Sequence, residues 1–264
     1  VSADGINANE LGSLSITGTL SNAGDAASGV TITGIVFKAA SGSAGDLSVA
    51  TSDLPSLTGD TNGATWTLSN SDIPALANGE TYTIEVSLSA ADGITGTGGN
   101  TSAVLVDSTA PTPPTINTIA TDDVVNLSEK NSTITGTTEA GTSVTVSIGG
   151  NDRTATVDGT TWSYALTDDD ITAMDQGAES IAVTATDSAG NETDSDARSI
   201  TVDTVAPAQP TIDTIAADDV VNFSERNSTI TGTTEADTSV TLSIGGNDRT
   251  ATVDGTTWSY ALTD

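Results

Sequence analysis

Three stretches of the chain share one pattern of oxygen-bearing side chains, Asp-x-x-Asn-x-x-Glu. They are Asp4/Asn7/Glu10, Asp123/Asn126/Glu129 and Asp219/Asn222/Glu225. In the second and third stretches an extra acid, Asp122 or Asp218, stands directly before the first position. Asp, Asn and Glu in one short loop supply hard oxygen donors in a flexible geometry. That chemistry suits Ca²⁺, which takes about six to eight oxygens at roughly 2.3–2.6 Å, better than Zn²⁺ or Mg²⁺. Asp and Asn are also common turn formers and helix caps, a reading that would account for Asp72 or Asp168 without any metal.

The elements that must position these residues follow from an internal repeat. Residues 110–168 match residues 206–264 at an offset of 96, with 51 of 59 positions identical. Trp66, Trp162 and Trp258 lie on the same period, as do Asp107 and Asp203. The chain therefore divides into a diverged repeat at 1–107, a repeat at 108–203 and a third at 204–264 that is C-terminally incomplete. Each reads as short strands separated by turn signals, with alternation at Val144/Val146/Ile148, Trp162/Tyr164/Leu166 and Ile181/Val183/Ala185. The expected fold is all-β, tandem immunoglobulin-like β-sandwiches in an elongated array. The Trp residues, inside alternating strands, are expected to pack in cores rather than stack on sugars. Asp158 and Asp254, each before Gly, read as hairpin turns.

Sandwich topology then predicts where the acids gather. Loops after the first and fifth strands and the outgoing linker share one pole, and the opposite pole of the next repeat faces them. At the first junction this collects Asp4, Asn7, Glu10, Asp72 and Asp107, facing Glu139 and the loop from Asp187 to Asn191. At the second it collects Asp122, Asp123, Asn126, Glu129, Asp168, Asp169, Asp170 and Asp203, facing Glu235 and Asp237. The third repeat carries Asp218, Asp219, Asn222 and Glu225 in the same role. Unit charges 4 Å apart repel by about 4 kcal/mol at an effective dielectric near 20. Bound Ca²⁺ is expected to convert that repulsion into a cross-link between consecutive repeats of the same chain.

Composition narrows the function classes. The chain has 36 Asp and Glu against 6 Lys and Arg, a formal net charge of -30, and no Cys or His. So negative a surface repels nucleic acid and anionic lipid, and no apolar run is long enough to insert in a membrane. Without His or Cys, and with acids recurring once per repeat, no nucleophile has an evident base and no single catalytic pair stands out, so no enzymatic activity is expected. The start, Val1-Ser2-Ala3-Asp4, is not a signal peptide, and the chain reads as an internal fragment of a longer protein. A monomer is expected.

The linkers Val106–Pro111 and Val202–Pro207, the Asp-x-x-Asn-x-x-Glu motif before Ile-Thr-Gly-Thr, the Trp, and Ala185–Asn191 (Ala-Thr-Asp-Ser-Ala-Gly-Asn) together resemble the bacterial Ig-like repeats of giant surface adhesins exported by type I secretion. The resemblance covers the whole chain. It implies extender domains on the bacterial cell surface, secreted (RTX-type) and rigidified by Ca²⁺, that project distal binding domains for attachment or biofilm formation. Repeat one departs from the pattern between Asp92 and Asn100, where it is longer and Gly-rich. That divergence leaves a second expectation open, a glycan- or protein-binding module in the first repeat.

Overall fold

The computed structural model describes residues 5–21, 29–41, 44–58 and 63–263. Among them the protein is all-β apart from two short α-helices and single 3-10 turns, with its main strand ladders antiparallel and Ile6 bridged in parallel to Val106. The chain forms two compact units. The first is Val1–Val125 with Glu129–Val202; the second is Asn126–Ser128 with Asp203–Asp264.

The first unit holds two Ig-like sandwiches. In repeat one the strands are β1 (Ile16–Thr19), β2 (Thr31–Ala39), β3 (Leu47–Ser48), β4 (Thr65–Leu68), β5 (Thr81–Ser89), β6 (Thr95–Gly99) and β7 (Val104–Leu105). One sheet runs β3-β2-β5-β6 with β7 also on β5, and β1 pairs β4 opposite it. Ile35, Phe37, Leu68 and Val106 are buried between them, with Phe37 edge-on to Tyr82. A short helix, α1 (Ala8–Leu11), precedes β1.

Repeat two contains β8 (Val124–Asn126), β9 (Thr133–Thr137), β10 (Ser143–Ile148), β11 (Asn151–Thr154), β12 (Thr156–Asp158), β13 (Thr161–Ala165), helix α2 (Asp168–Met174), β14 (Gly177–Thr186), β15 (Glu192–Asp194) and β16 (Arg198–Asp203). The sheets run β12-β13-β9 and β11-β10-β14-β16-β8, with β15 on the free part of β14. The period-2 pattern in sequence is the period-2 pattern in burial: in β10, Val144, Val146 and Ile148 are buried and Ser143, Thr145 and Ser147 are not.

The Ile-Thr-Gly-Thr strand has a steric reason for its glycine. Gly136 lies opposite Trp162 across β9 and β13. A Cβ there would stand 1.8 Å from the Thr115 carbonyl oxygen and 2.7 Å from the indole nitrogen. With no Cβ, the incoming linker comes close enough for Trp162 Nε1 to donate to Thr115 O at 3.0 Å. All three Trp are buried in their cores, at 9 %, 1 % and 2 % exposure for Trp66, Trp162 and Trp258.

The second unit contains β17 (Thr229–Thr233), β18 (Thr241–Ile244), β19 (Asn247–Thr250), β20 (Thr252–Asp254) and β21 (Thr257–Ala261), paired β17-β21-β20 and β18-β19. Trp258 Nε1 donates to Thr211 O at 3.0 Å, and a Cβ on Gly232 would meet that oxygen at 1.9 Å, so the indole–linker contact recurs at the repeat period. Val221 is 47 % exposed where its counterpart Val125 is fully buried.

Candidate functional site

The joint between repeats one and two lies within the first unit, and it gathers several of the expected residues. Asn7 caps α1 in a reciprocal box: its Oδ1 accepts from Glu10 N (2.9 Å), and Glu10 Oε2 accepts from Asn7 N (3.1 Å). The Asn-x-x-Glu half of the motif therefore has a structural task, satisfying two backbone donors that a helix start leaves orphaned. The backbone then ties this corner to the outgoing linker, with Ile6 N donating to Leu105 O (2.8 Å) and Asp107 N to Ile6 O (3.0 Å).

From repeat two, the hairpin between β14 and β15 reaches the same corner. Asp187 organises it: Oδ1 accepts from Ala189 N and Asn191 N, both at 2.9 Å, and Oδ2 accepts from Asn191 Nδ2 at 2.9 Å. Burial pushes the Asp187 pKa up, but hydrogen bonds from the Asn191 amide and from the backbone of Asn191, Ala189 and Gly190 outweigh it. The net result is a carboxyl held below its usual value. Asn191, itself 5 % exposed, reaches across. Its Nδ2 also donates to Asp107 O (2.8 Å), and its Oδ1 accepts from Ala8 N (3.0 Å). In return Asn7 Nδ2 donates to Ala189 O (3.0 Å). Gly190 sits at φ +90°, and a Cβ there would come within 3.0 Å of Asn7 Nδ2, so both backbone conformation and closeness of the neighbouring repeat call for glycine. Beside the joint a polar cleft of about 360 Å³ is lined by Ala8, Asn9, Ser108, Ala110 and residues 191–194.

Asn7, Glu10, Asp107, Asp187 and Asn191 are thus brought to one joint. Asp107 Oδ1 there accepts from Thr109 N (3.1 Å). Among the described residues no Lys or Arg pairs with Glu10, Asp107 or Asp187, and no three Asp or Glu side chains converge closely enough to hold a metal by themselves. The donor set is of the right chemical type for a hard cation, carboxylate and amide oxygens without nitrogen or sulfur ligands, but its oxygens are engaged in hydrogen bonds. A cation would complete its shell with backbone oxygens and water, as Ca²⁺ commonly does.

The remaining expected residues have other surroundings. Asp4 lies outside the described residues. Glu139 reaches the linker instead, with Oε2 accepting from Thr112 N at 2.9 Å. Asp122 Oδ1 accepts from Val124 N (3.0 Å). Asp123, at φ +65°, accepts from Ile119 N (2.9 Å) and forms a two-pronged ion pair with Arg198 on β16. The Arg198 guanidinium holds its carboxyl below the usual range. Asn126 Oδ1 accepts from Ser128, and the Glu129 carbonyl accepts from Ser132 N. Asp168 pairs with Lys130 at 2.8 Å on the surface, and Asp169 is exposed in the first turn of α2. Asp203 ends β16.

In the second unit the local patterns repeat. Asp219 (φ +62°) accepts from Ile215 N at 2.9 Å, Asp218 from Val220 N at 3.0 Å, and Glu225 Oε2 from Asn222 N at 3.2 Å. Glu235 accepts from Ala208 N (2.8 Å), and Asp237 occupies a turn at φ +61°.

Asp170, expected with Asp168 and Asp169 among the acids open to a cation, is instead closed off inside repeat two by burial and by its partners. It is fully buried at the start of α2. Its Oδ2 accepts from Tyr164 OH (2.8 Å), Thr167 N (3.0 Å) and Thr167 Oγ1 (2.7 Å), and its Oδ1 from Arg153 Nε (2.8 Å). Burial pushes its pKa up; the hydrogen bonds from Thr167, Tyr164 and Arg153 more than reverse that and leave it lowered. The signal available in sequence was the Thr-x-x-Asp spacing of a capping box.

Repeat one also has a partly open, mostly apolar cavity of about 590 Å³ between its sheets, lined by Ile16, Phe37, Trp66, Tyr82 and Val86 and bordered by Gly98 and Gly99 of β6. Glycines at that edge supply no side chains to fill it.

No protein-family model matches the chain, and no curated protein matches it. Solved structures do. One is described as a Ca²⁺-stabilized adhesin that helps an Antarctic bacterium reach out and bind ice. Identity is 30 % and the TM-score 0.43, over 97 % of this chain and 62 % of that one, so the chain spans less than two thirds of its length. Another concerns host cell surface retention of a 1.5-MDa bacterial ice-binding adhesin, at 30 % identity and TM-score 0.36 over 97 % of this chain and 82 % of that one. Fibronectin(III)-like modules of Clostridium thermocellum CbhA match at 15 % identity and TM-score 0.34, over 75 % of this chain and 87 % of theirs. Among the described residues no helix is long and apolar enough to cross a membrane.

Proposed function

We propose that the chain is an extender region of a bacterial surface adhesin, exported from the cell, whose repeats are stiffened by Ca²⁺ where they join. The observation that carries this reading is the first joint, which assembles Glu10, Asp107 and Asp187 from two repeats and pairs none of them with Lys or Arg among the described residues. Four of the six Lys and Arg side chains, Lys38, Lys130, Arg153 and Arg198, pin acids within single repeats. A divalent cation supplies the missing counter-charge. Glu10, Asp107 and Asp187 would hold it, with Asn7 and Asn191 contributing amide oxygens, and Asp203 repeats Asp107 at the period of the sequence. The ion's work is to neutralise acids whose mutual repulsion weakens the joint. The reading extends to this chain what is said of the Antarctic adhesin, that Ca²⁺ stabilizes it. Such a region acts as a monomer whose partners are its own neighbouring repeats, and it places distal binding domains for attachment or biofilm growth without catalysing anything.

The test is calorimetry with small-angle scattering, in Ca²⁺ and in chelator. A ligand present at about a hundred times its Kd adds roughly 2.7 kcal/mol to the folded state, which on a repeat of this size raises the melting temperature by about 10 °C or more. Identical melting and identical scattering in the two buffers sink the proposal.

A second reading, recognition by repeat one, is favoured by its cavity. That lining is apolar, which suits a hydrophobic small molecule rather than a glycan. Saturable uptake of a hydrophobic fluorophore, abolished by Val86→Trp, would support it; no uptake refutes it.

A further inference from the structure

We infer that Asn7 and Asn191 form a metal-independent lock that fixes repeat two on repeat one, so that the angle of the joint is encoded by two side-chain amides and calcium acts on an already docked pair. Three hydrogen bonds cross the joint, Asn7 Nδ2 to Ala189 O (3.0 Å), Ala8 N to Asn191 Oδ1 (3.0 Å) and Asn191 Nδ2 to Asp107 O (2.8 Å), and a fourth, Asn191 Nδ2 to Asp187 Oδ2 (2.9 Å), braces them on the repeat-two side. The Asn191 amide thus spends both its donors and its acceptor at once. A side chain that is 5 % exposed and satisfied from three directions has little freedom to change rotamer without leaving buried groups unpaired. Asp187 prevents the hairpin from relaxing, since its two oxygens take the N–H groups of Ala189 and Asn191 and the Asn191 amide itself. On the other side, the capping box fixes Asn7 with its Oδ1 committed to Glu10 N, which leaves Nδ2 pointed outward to repeat two.

The chemistry is directional. One repeat presents a capped Asn-x-x-Glu turn, and the repeat after it presents an Asp-x-x-Gly-Asn hairpin that reads the cap. The glycine is part of the fit, because at φ +90° with Asn7 Nδ2 only 3.0 Å from a would-be Cβ, a larger residue would push the cap away. The partner for this surface is therefore a preceding repeat of the same chain. The matching hairpin of repeat one, Ala90-Ala91-Asp92-Gly93-Ile94, has no Asn at the bridging position, so it does not offer this lock to a domain placed before it.

The lock and the calcium reading fail separately. The chain has no cysteine, so Thr67→Cys with Thr156→Cys, on exposed positions of β4 and β12, accept nitroxide labels as the sole pair, and electron–electron distance distributions report the joint in the full chain. In EDTA the parent pair gives one narrow distribution. Asn7→Ser keeps a good helix cap but is too short to reach Ala189, and Asn191→Ala removes the bridge. Each broadens the distribution in EDTA, with the undocked population rising about fivefold per hydrogen bond lost, while near-ultraviolet dichroism shows both sandwiches still folded. A parent distribution already broad in EDTA overturns the lock, and so do variants as narrow as the parent. If Asn191→Ala unfolds repeat two, Asn7→Ser decides alone. The calcium reading fails instead if adding Ca²⁺ leaves parent and variants alike unchanged.

Discussion

Asp168, Asp169 and Asp170 are adjacent in sequence and chemically alike, and the structure gives them different jobs, so replacing Asp170 tests whether burial decides between them. Asp170→Asn keeps the size of the side chain and removes the charge. In the parent, one oxygen serves Tyr164 OH, Thr167 N and Thr167 Oγ1, while the other serves Arg153. An amide has one oxygen, so either the trio or the guanidinium faces an NH₂ group. Hydrogen bonds to a charged acceptor are worth about 1.5–3 kcal/mol each, and an orphaned buried group costs a similar amount. Arg153 is partly exposed, at 30 % of its side chain, and recovers part of its share from water, so the loss rests mainly on the enclosed side and comes to about 2–3 kcal/mol. For a repeat of this size that is a fall in melting temperature of roughly 10–20 °C. The assay is differential scanning calorimetry in EDTA, following the repeat-two transition, with Asp169→Asn as the exposed control expected to shift stability by less than about 0.5 kcal/mol. Because the folded-state pKa of Asp170 is depressed, its contribution is present above the ordinary carboxylate pKa and is lost as pH falls through the folded value. The gap between parent and Asp170→Asn should therefore close in acid. A variant that melts with the parent at neutral pH, or a gap that widens in acid, refutes the reasoning.

Gly136→Ala places a Cβ 1.8 Å from the Thr115 oxygen, so the linker must retreat and Trp162 loses its acceptor; the expected cost is about 1–3 kcal/mol, read as a lower denaturant midpoint with a shifted indole emission. Gly232→Ala should do the same to the second unit through Thr211. Arg198→Ala frees Asp123 of the guanidinium that lowers its pKa; carbon-detected NMR titration should find that carboxyl moved up towards its ordinary value, and unchanged titration would show the ion pair absent in solution.

What was legible in the sequence was what local patterns determine. The 96-residue period is a direct match of one stretch to another, the alternation of Val144, Val146 and Ile148 and the burial of each Trp follow from residues a few positions apart, and the described strands agree. The gathering of Asn7, Asp107, Asp187 and Asn191 was also legible, because sandwich topology sends particular loops to particular poles. What was not legible depends on partners far along the chain. Asp123 meets Arg198 across 75 residues, and the glycine of Ile-Thr-Gly-Thr is demanded by a carbonyl at Thr115, 21 positions earlier. Neither contact leaves a spacing signature of its own.

The Asp-x-x-Asn-x-x-Glu motif shows why a ligand-like spelling underdetermines its use. In the first repeat its Asn and Glu close a capping box, and the same Glu-to-backbone bond recurs at Asn222 and Glu225. In the second and third, its Asp accepts the N–H of the Ile four residues earlier, at Asp123 and Asp219, with left-handed backbone in both. Each residue thus earns its place by organising a turn before any ion is considered. The two roles are compatible, because a carboxylate that accepts one backbone N–H on one oxygen keeps lone pairs for a cation. A turn held by such bonds also presents its oxygens in fixed positions, which lowers the ordering cost of binding. The acids that a cation can use are then those whose turns are braced and whose charge no arginine already answers. On the proposed reading, that favours Glu10, Asp107 and Asp187 at the first joint over Asp123 and Asp170, which are paired with Arg198 and Arg153.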